Sequence, residues 1–177
     1  FTKPFEKNAV EQEEDEISDE ELQEMVDVIE DEGIIDESQG ELLRSAIDFK
    51  ETEAHEVMTP RVDVFAYDIE DDISLLLNDE RIFEFTRIPV YDGSIDNIIG
   101  ILNVKLLLKE LLKGNEINVK SMLINEVNVP SGMNISTILE DFKKTHNHIA
   151  IVKDEFGGTE GIITLEDIVE ELVGEIW

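Results

Sequence analysis

Residues 154–176 read Asp154-Glu155-Phe156-Gly157-Gly158-Thr159-Glu160-Gly161-Ile162-Ile163-Thr164-Leu165-Glu166-Asp167-Ile168-Val169-Glu170-Glu171-Leu172-Val173-Gly174-Glu175-Ile176. Asp154 to Gly158 reads as a loop, Gly161 to Thr164 as a short apolar strand, and Leu165 to Val173 as a helix. The same order stands 61 residues upstream. That shift places Ile88 on Ile149, Val90 on Ile151, Gly100 on Gly161, Ile101 on Ile162 and Leu107 on Ile168. Further upstream the register drifts, with Ile73 meeting Ile135 at a shift of 62 and Met58 meeting Met122 at 64. Two β-α-β-β-α units of about 60 residues follow from this repetition, giving an α+β fold. Each unit offers a small sheet covered by helices on one face. Packed through their sheets, two such units share a core and form two quasi-equivalent clefts.

In the first unit, Val62, Val64 and Ala66 alternate as in a strand, and a helix is expected over about 72–84. Arg87 to Tyr91 and Ile98 to Leu102 are strands around the turn Asp92-Gly93, and Val104 to Leu112 is a helix closed by Gly114. In the second unit, Val127 to Val129 and His148 to Val152 are strands on either side of a helix from Ile135 to Lys144. Ahead of both lies a charged arm. Ser18-Asp19-Glu20-Glu21 is a capping box for a helix carrying Leu22, Met25, Val26 and Ile29, stopped by Gly33. A second helix over roughly 37–50 carries Leu42, Leu43, Ala46 and Ile47 on one face. Thr52 caps a short turn ending near Met58, and Pro60 forces Thr59 to be extended. The expected organisation is a mobile acidic tail over 1–17, a helical linker over 18–56, and repeats over 57–118 and 119–177.

The chain has 177 residues, no cysteine, and 44 acidic against 14 basic side chains, a formal charge of −30. Disulfides and thiolate chemistry are excluded. A nucleic-acid partner is excluded as well, because phosphate binding draws its affinity from Lys and Arg. Residues 1–56 hold 21 acids and 4 bases, so the front third is far more charged than the rest. No apolar run reaches the roughly 20 residues that span a bilayer. The chain starts without Met or an apolar leader, which reads as a fragment of something longer.

Glu56-Val57-Met58-Thr59-Pro60-Arg61 resembles the start of a cystathionine-β-synthase (CBS) domain, and the stretch 154–176 is similar to the close of the CBS pair in hemolysin-C-like (CorC/HlyC) transporters associated with magnesium and cobalt efflux. The resemblance spans residues 18–176. It implies a tandem CBS pair with an N-terminal acidic helical arm, a membrane domain before the arm, a small domain after the pair, and a place at the cytoplasmic face of the cell membrane. It also implies a homodimer that binds adenosine nucleotide, AMP or ATP, with Mg²⁺ as the accompanying ion, and that controls the transporter.

The site residues follow the motif Gly161-x-x-Thr164-x-x-Asp167. Thr164 lies where strand becomes helix, a place of open N–H groups suited to phosphate. Asp167, one turn on, is an acceptor for two ribose hydroxyls. In CBS domains the matching Thr contacts phosphate and the matching Asp the diol. The same pair also reads as an ordinary helix cap, worth about 0.5–2 kcal/mol. By position, Met122 and Val127 wall this cleft, with Ile149 and Ala150 opposite and His148 near the phosphate; all but His148 read equally well as core. In the first unit the equivalent positions are Gly100, Asn103 and Leu106, and Leu106 has no hydrogen bond to offer a ribose. The expectation is one competent cleft around Asp167 and a degenerate one whose residues are Thr59, Arg61, Arg87 and Asn103. His146 and His148, two apart on a strand, make too small a set for a metal.

Two other readings stay open: a ligand-free dimerisation scaffold, and a divalent-metal sensor using runs such as Glu13-Glu14-Asp15-Glu16. The sequence contains no G-x-S-x-G, H-E-x-x-H or Walker motif, so catalysis is the weakest reading.

Overall fold

The computed structural model describes residues 17–174, and the chain divides into two units, residues 1–49 with 172–177 and residues 50–171. Apart from Ile17, the tail expected over 1–17 lies outside the described residues, as does the run Glu13 to Glu16.

The first unit is a helical hairpin of α1 (Asp19–Asp31) and α2 (Glu37–Phe49). Ser18 caps α1, its hydroxyl accepting from the Glu21 N–H at 3.2 Å. Asp36 and Gln39 cap α2 reciprocally, at 2.8 and 3.0 Å. Arg44 ties the helices together by bonding Asp27 and Glu30, both at 2.6 Å. Those carboxylates, Asp27 above all, hold the guanidinium pKa above its ordinary value.

The second unit starts with a single helical turn, α3 (Ala54–Val57), capped by Glu53 through a capping box with Glu56 rather than by Thr52. Its strands are β1 (Thr59–Pro60), β2 (Tyr67–Asp68), β3 (Arg87–Asp92), β4 (Ser94–Asn103), β5 (Asn128–Pro130), β6 (Ile149–Lys153) and β7 (Thr159–Thr164). Its further helices are α4 (Ile73–Leu77), α5 (Val104–Leu112), α6 (Val119–Met122), α7 (Ile135–Thr145) and all but the last two residues of α8 (Leu165–Val173). One sheet has the order β2-β3-β4, the other β1-β7-β6-β5.

The opening strand of each repeat is therefore exchanged. β1, which leads into the first repeat, pairs antiparallel with β7 of the second, Thr59 opposite Ile162 and Pro60 opposite Gly161. Reciprocally, Ile124, which leads into the second repeat, forms a bridge with Ile101 of β4. Its N–H donates to the Ile101 carbonyl at 2.9 Å, and the Ile101 N–H donates back at 2.8 Å. Gly100 and Gly161 are the repeat-equivalent positions at the two crossings.

Alternation along the strands sorts the buried side chains to one face or the other. Ile98, Ile101, Ile149, Ile151 and Ile162 meet between the sheets. Ile88, Val90, Leu102 and Leu107 fill the helix side of the first repeat. Ile135, Ile138, Phe142, Ile163 and Ile168 are buried in the second repeat.

Three further expectations are corrected. The strand through Val62, Val64 and Ala66 is a 3₁₀ turn at Arg61–Asp63 followed by irregular chain, because only Tyr67 and Asp68 reach β3. The helix over 72–84 breaks into α4 and a 3₁₀ turn, Glu80–Glu84, because Asp79 starts that second element by accepting from the Arg81 N–H. His146 and His148 do not share a strand. His146 ends α7 in the left-handed conformation, φ 57°, and β6 starts only at Ile149.

Candidate functional site

β7 passes directly into α8, and the junction carries Thr164 and Asp167. The two side chains cap the helix reciprocally: the Asp167 N–H donates to Thr164 Oγ1 at 3.2 Å, and the Thr164 N–H donates to Asp167 Oδ2 at 2.9 Å. The Leu165 N–H donates to the His148 carbonyl at 2.9 Å, which brings His148 alongside. Two of the donors expected to be open at this helix start, those of Leu165 and Asp167, are thus satisfied internally. Left for a ligand at this junction are the Glu166 N–H, the proton of the Thr164 hydroxyl and Oδ1 of Asp167.

These groups line a first cleft of about 320 Å³. Thr59, His148, Ile149 and Ile162 flank the junction, and Arg87 projects from the facing strand β3. Phe65 and Phe85 form an aromatic wall, their rings stacked with centroids 5.1 Å apart and 13° between planes. The Arg81 guanidinium lies over Phe65 at 4.9 Å. Four carboxylates, Asp63, Glu84, Glu166 and Asp167, complete the lining.

The structure thus brings together Thr164, Asp167, His148 and Ile149 as expected, and adds Thr59 and Arg87, which sequence reasoning had assigned to the other cleft. Met122 and Val127 are elsewhere. Met122 packs against the core of the first repeat, and the Val127 carbonyl accepts from Ile151 at 2.7 Å on the far side of the sheet. Strand exchange is the reason: β1, not the segment leading into the second repeat, borders β7 at the cleft. Ala150 is fully buried on the opposite face of β6 from Ile149. Phe65 and Phe85 went unread because nothing local marks them; only the crossing of the chain at Thr59 carries Phe65 to Ile162.

Asn103 lines a second cleft of about 300 Å³ with Arg87, His146 and His148. It caps α5 by accepting from the Leu106 N–H at 3.2 Å, and Leu106 itself is exposed.

Arg61 belongs to neither cleft. It donates to Asp96 Oδ1 at 2.8 Å and to the Thr159 carbonyl at 3.1 Å. Asp96 also accepts from the Thr159 N–H at 2.8 Å, and the buried Thr159 hydroxyl donates to the Ile95 carbonyl at 2.8 Å. This cluster ties the β3–β4 hairpin to the start of β7. The Thr159 N–H first, then the charges of Arg61 and Lys153, hold the Asp96 carboxyl below its usual pKa. A carboxyl depressed in the folded state contributes stability above its unfolded pKa of about 3.9 and loses it as pH falls through the folded value. Asp96→Asn is therefore expected to flatten the acid limb of a stability-versus-pH curve below about pH 4. Urea midpoints between pH 2 and 7 check this, and parallel curves for the two proteins would contradict it.

Among the described residues, Asp68, Glu70 and Asp92 form the group close enough to hold a metal ion; it is largely exposed and lines neither cleft. Among the same residues no helix is long and apolar enough to cross a membrane.

A sequence model of the CBS domain matches residues 118–174, the second repeat. Hemolysin C of Brachyspira hyodysenteriae is 34% identical over 142 residues, 79% of this chain and 52% of that protein. The solved CBS domain of the bacterial CNNM/CorC family Mg²⁺ transporter is 38% identical with a TM-score of 0.79, covering 92% of this chain and 99% of that one. A CBS domain of that transporter family solved in complex with ATP is 40% identical with a TM-score of 0.69, covering 78% of this chain and 99% of that one. This chain spans about a quarter to a half of the length of the curated relatives it matches.

Proposed function

The chain belongs to the CBS-domain family, in its hemolysin C and CNNM/CorC branch, and from that membership we propose that it is the module through which an adenosine nucleotide controls a membrane ion transporter. The transporter is of the magnesium and cobalt efflux kind, and the module works at the cytoplasmic face of the membrane beside a membrane domain of the same protein. The observation that carries the reading is the convergence of Thr164, Asp167, Arg87 and His148 on one cleft.

Each group has a task there. Asp167 Oδ1 accepts from the ribose hydroxyls while Oδ2 keeps the helix capped. The Thr164 hydroxyl, the Arg87 guanidinium and the His148 ring take the phosphates. The base lies among Phe65, Phe85 and Ile162. Four carboxylates around the same space repel a bare polyphosphate, so ATP enters with Mg²⁺ across its phosphates, whereas AMP depends less on the metal. The nucleotide bears on both repeats at once, through Arg87 of the first and Thr164 and Asp167 of the second, and favours whichever relative arrangement of the repeats it binds more tightly. A homodimer is the expected assembly, with the exposed Met25, Val28, Leu42 and Leu43 of the helical hairpin as part of its surface.

Thermal midpoints measured against AMP, ADP and ATP, with and without Mg²⁺, test the reading. A ligand at a hundred times its Kd adds about 2.7 kcal/mol of stability, a shift of several degrees. Asp167→Ala is expected to cost about 1 kcal/mol through the lost cap and to abolish the nucleotide shift. A wild type that responds to no adenine nucleotide would leave the scaffold reading standing, for which the exposed Leu106 already speaks. A response to Mg²⁺ alone that survives Asp167→Ala would favour the direct metal sensor.

A further inference from the structure

We infer that Arg81 is a positioning residue for the base of a nucleotide in the first cleft, acting from outside that cleft through the ring of Phe65. The inference rests on the nucleotide reading given above and concerns the base alone.

Phe65 needs such support. It lies in the irregular chain between the 3₁₀ turn Arg61–Asp63 and β2, outside any strand, so no ladder sets its ring. What grips the ring comes from one other short element. Arg81 lies near the start of the 3₁₀ turn Glu80–Glu84, and Phe85 closes it. Phe85 stacks on Phe65 with centroids 5.1 Å apart, and the Arg81 guanidinium lies over the same ring, 4.9 Å from its centroid.

The two neighbours are on opposite sides of that ring. Phe65 and Phe85 line the first cleft, and Arg81 does not. Phe65, Arg81 and Asp79 line a separate pocket of about 220 Å³, and Phe85 does not. Phe65 is thus the partition between two cavities, propped from behind by a cation and stacked in front on Phe85. With both faces of Phe65 taken, the aromatic face left for a base is that of Phe85, which is 37% exposed.

Asp79 fixes the prop. Arg81 Nε donates to Asp79 Oδ1 at 3.1 Å and Nη2 donates to Oδ2 at 2.7 Å, a two-point fork that sets the plane of the guanidinium. The Arg81 N–H also donates to Oδ1, at 3.0 Å. The bond to Arg81 holds the Asp79 carboxyl below its ordinary pKa, and the bond to Asp79 holds the guanidinium above its own. The Arg81 side chain is 65% exposed, and an ion pair so placed adds little to stability. Its effect therefore falls on the wall it backs rather than on the fold.

Isothermal titration of the whole chain with AMP and with ribose 5-phosphate, the same ligand without its base, tests this. Arg81→Ala is expected to weaken AMP about threefold to fivefold, the worth of one exposed cation–π contact, and to leave ribose 5-phosphate unchanged. Asp79→Asn keeps an N-cap acceptor but loses the charged fork, so it should show a smaller loss of the same kind. Arg81→Lys, which keeps a cation for the ring, should recover part of the loss. In a Phe65→Leu background Arg81→Ala should have no further effect, because the ring through which it acts is gone. Where ribose 5-phosphate binds too weakly to titrate, this double variant decides. AMP binding that Arg81→Ala leaves untouched overturns the inference. So do equal losses for AMP and ribose 5-phosphate, or losses from Arg81→Ala and Phe65→Leu that simply add. A wild type silent to AMP is a different failure: it removes the nucleotide reading, and this inference with it.

Discussion

Gly161→Ala lowers the stability of the repeat pair by about 3 kcal/mol, overpacking of a kind that backbone cannot relieve. Gly161 lies opposite Pro60, where β1 crosses β7. An added Cβ would run into the Thr59 carbonyl oxygen and come within 3.0 Å of Met58 Sδ. The obstacle is a peptide group in a ladder, so β1 must leave the sheet for the methyl to fit. The repeat-equivalent Gly100→Ala is expected to cost less, about 1–2 kcal/mol. There the Cβ meets Leu123 Cβ at 2.8 Å and the Ile124 carbonyl oxygen at 3.0 Å, across a single bridge that has more room to give. Urea unfolding of both variants checks the order. A Gly161→Ala protein within 1 kcal/mol of wild type, or Gly100→Ala as the worse of the two, would mean that β1 is not held against β7 as described. Because Thr59 is also a wall of the first cleft, Gly161→Ala should weaken nucleotide binding as well.

Residues 118–174, expressed alone, should not fold cooperatively. This stretch is a whole repeat by sequence, yet half of what supports it comes from the other repeat. It loses β1 from its sheet. It loses the hydrogen bonds that seat the incoming chain: the Ala54 N–H to the Met133 carbonyl at 2.8 Å, the His55 N–H to Ser131 at 3.1 Å, and the Ile135 N–H to Thr52 at 2.9 Å. Ile149, Ile151 and Ile162 lose Ile98 and Ile101 opposite them and face water. A domain of this size is marginal even when complete. Far-UV circular dichroism is expected to show a largely unordered fragment, and addition of residues 50–117 to restore a sigmoidal urea transition. A fragment with its own cooperative transition would contradict the exchanged architecture.

How legible was this in the residues? The repeat was, because Gly100 and Gly161 and the isoleucines that follow them recur at one spacing. The helices Val104–Leu112 and Leu165–Val173 were legible to the residue, since each starts at a side chain that caps it and carries a clear apolar face. The exchange was not. A two-residue strand such as Thr59–Pro60 has no periodicity to detect, and its partner lies a hundred residues away. From that one gap came the misplacement of the cleft walls at Met122 and Val127. Gly100 and Gly161 were legible as marks of the repeat, but which backbone comes close to each is seen only where the exchanged segments cross. His146 was assigned to a strand because nothing in Thr145-His146-Asn147 announces a left-handed turn in the absence of glycine. The Thr164–Asp167 motif was located correctly, but only the structure distinguishes the oxygen that holds the helix from the one left over.

The exchanged strand has a mechanical consequence. β1 borders the first cleft at Thr59, and it is also the first extended backbone after Ala54–Val57, where the polypeptide comes into the pair. The stretch from Thr52 to Thr59 is pinned on the way by the bonds of Thr52, Ala54 and His55 to the second repeat, so the cleft wall and the incoming chain share one set of anchors. A ligand that shifts those anchors changes the lie of the incoming chain, and by linkage a change in that chain changes the affinity for such a ligand by the same factor.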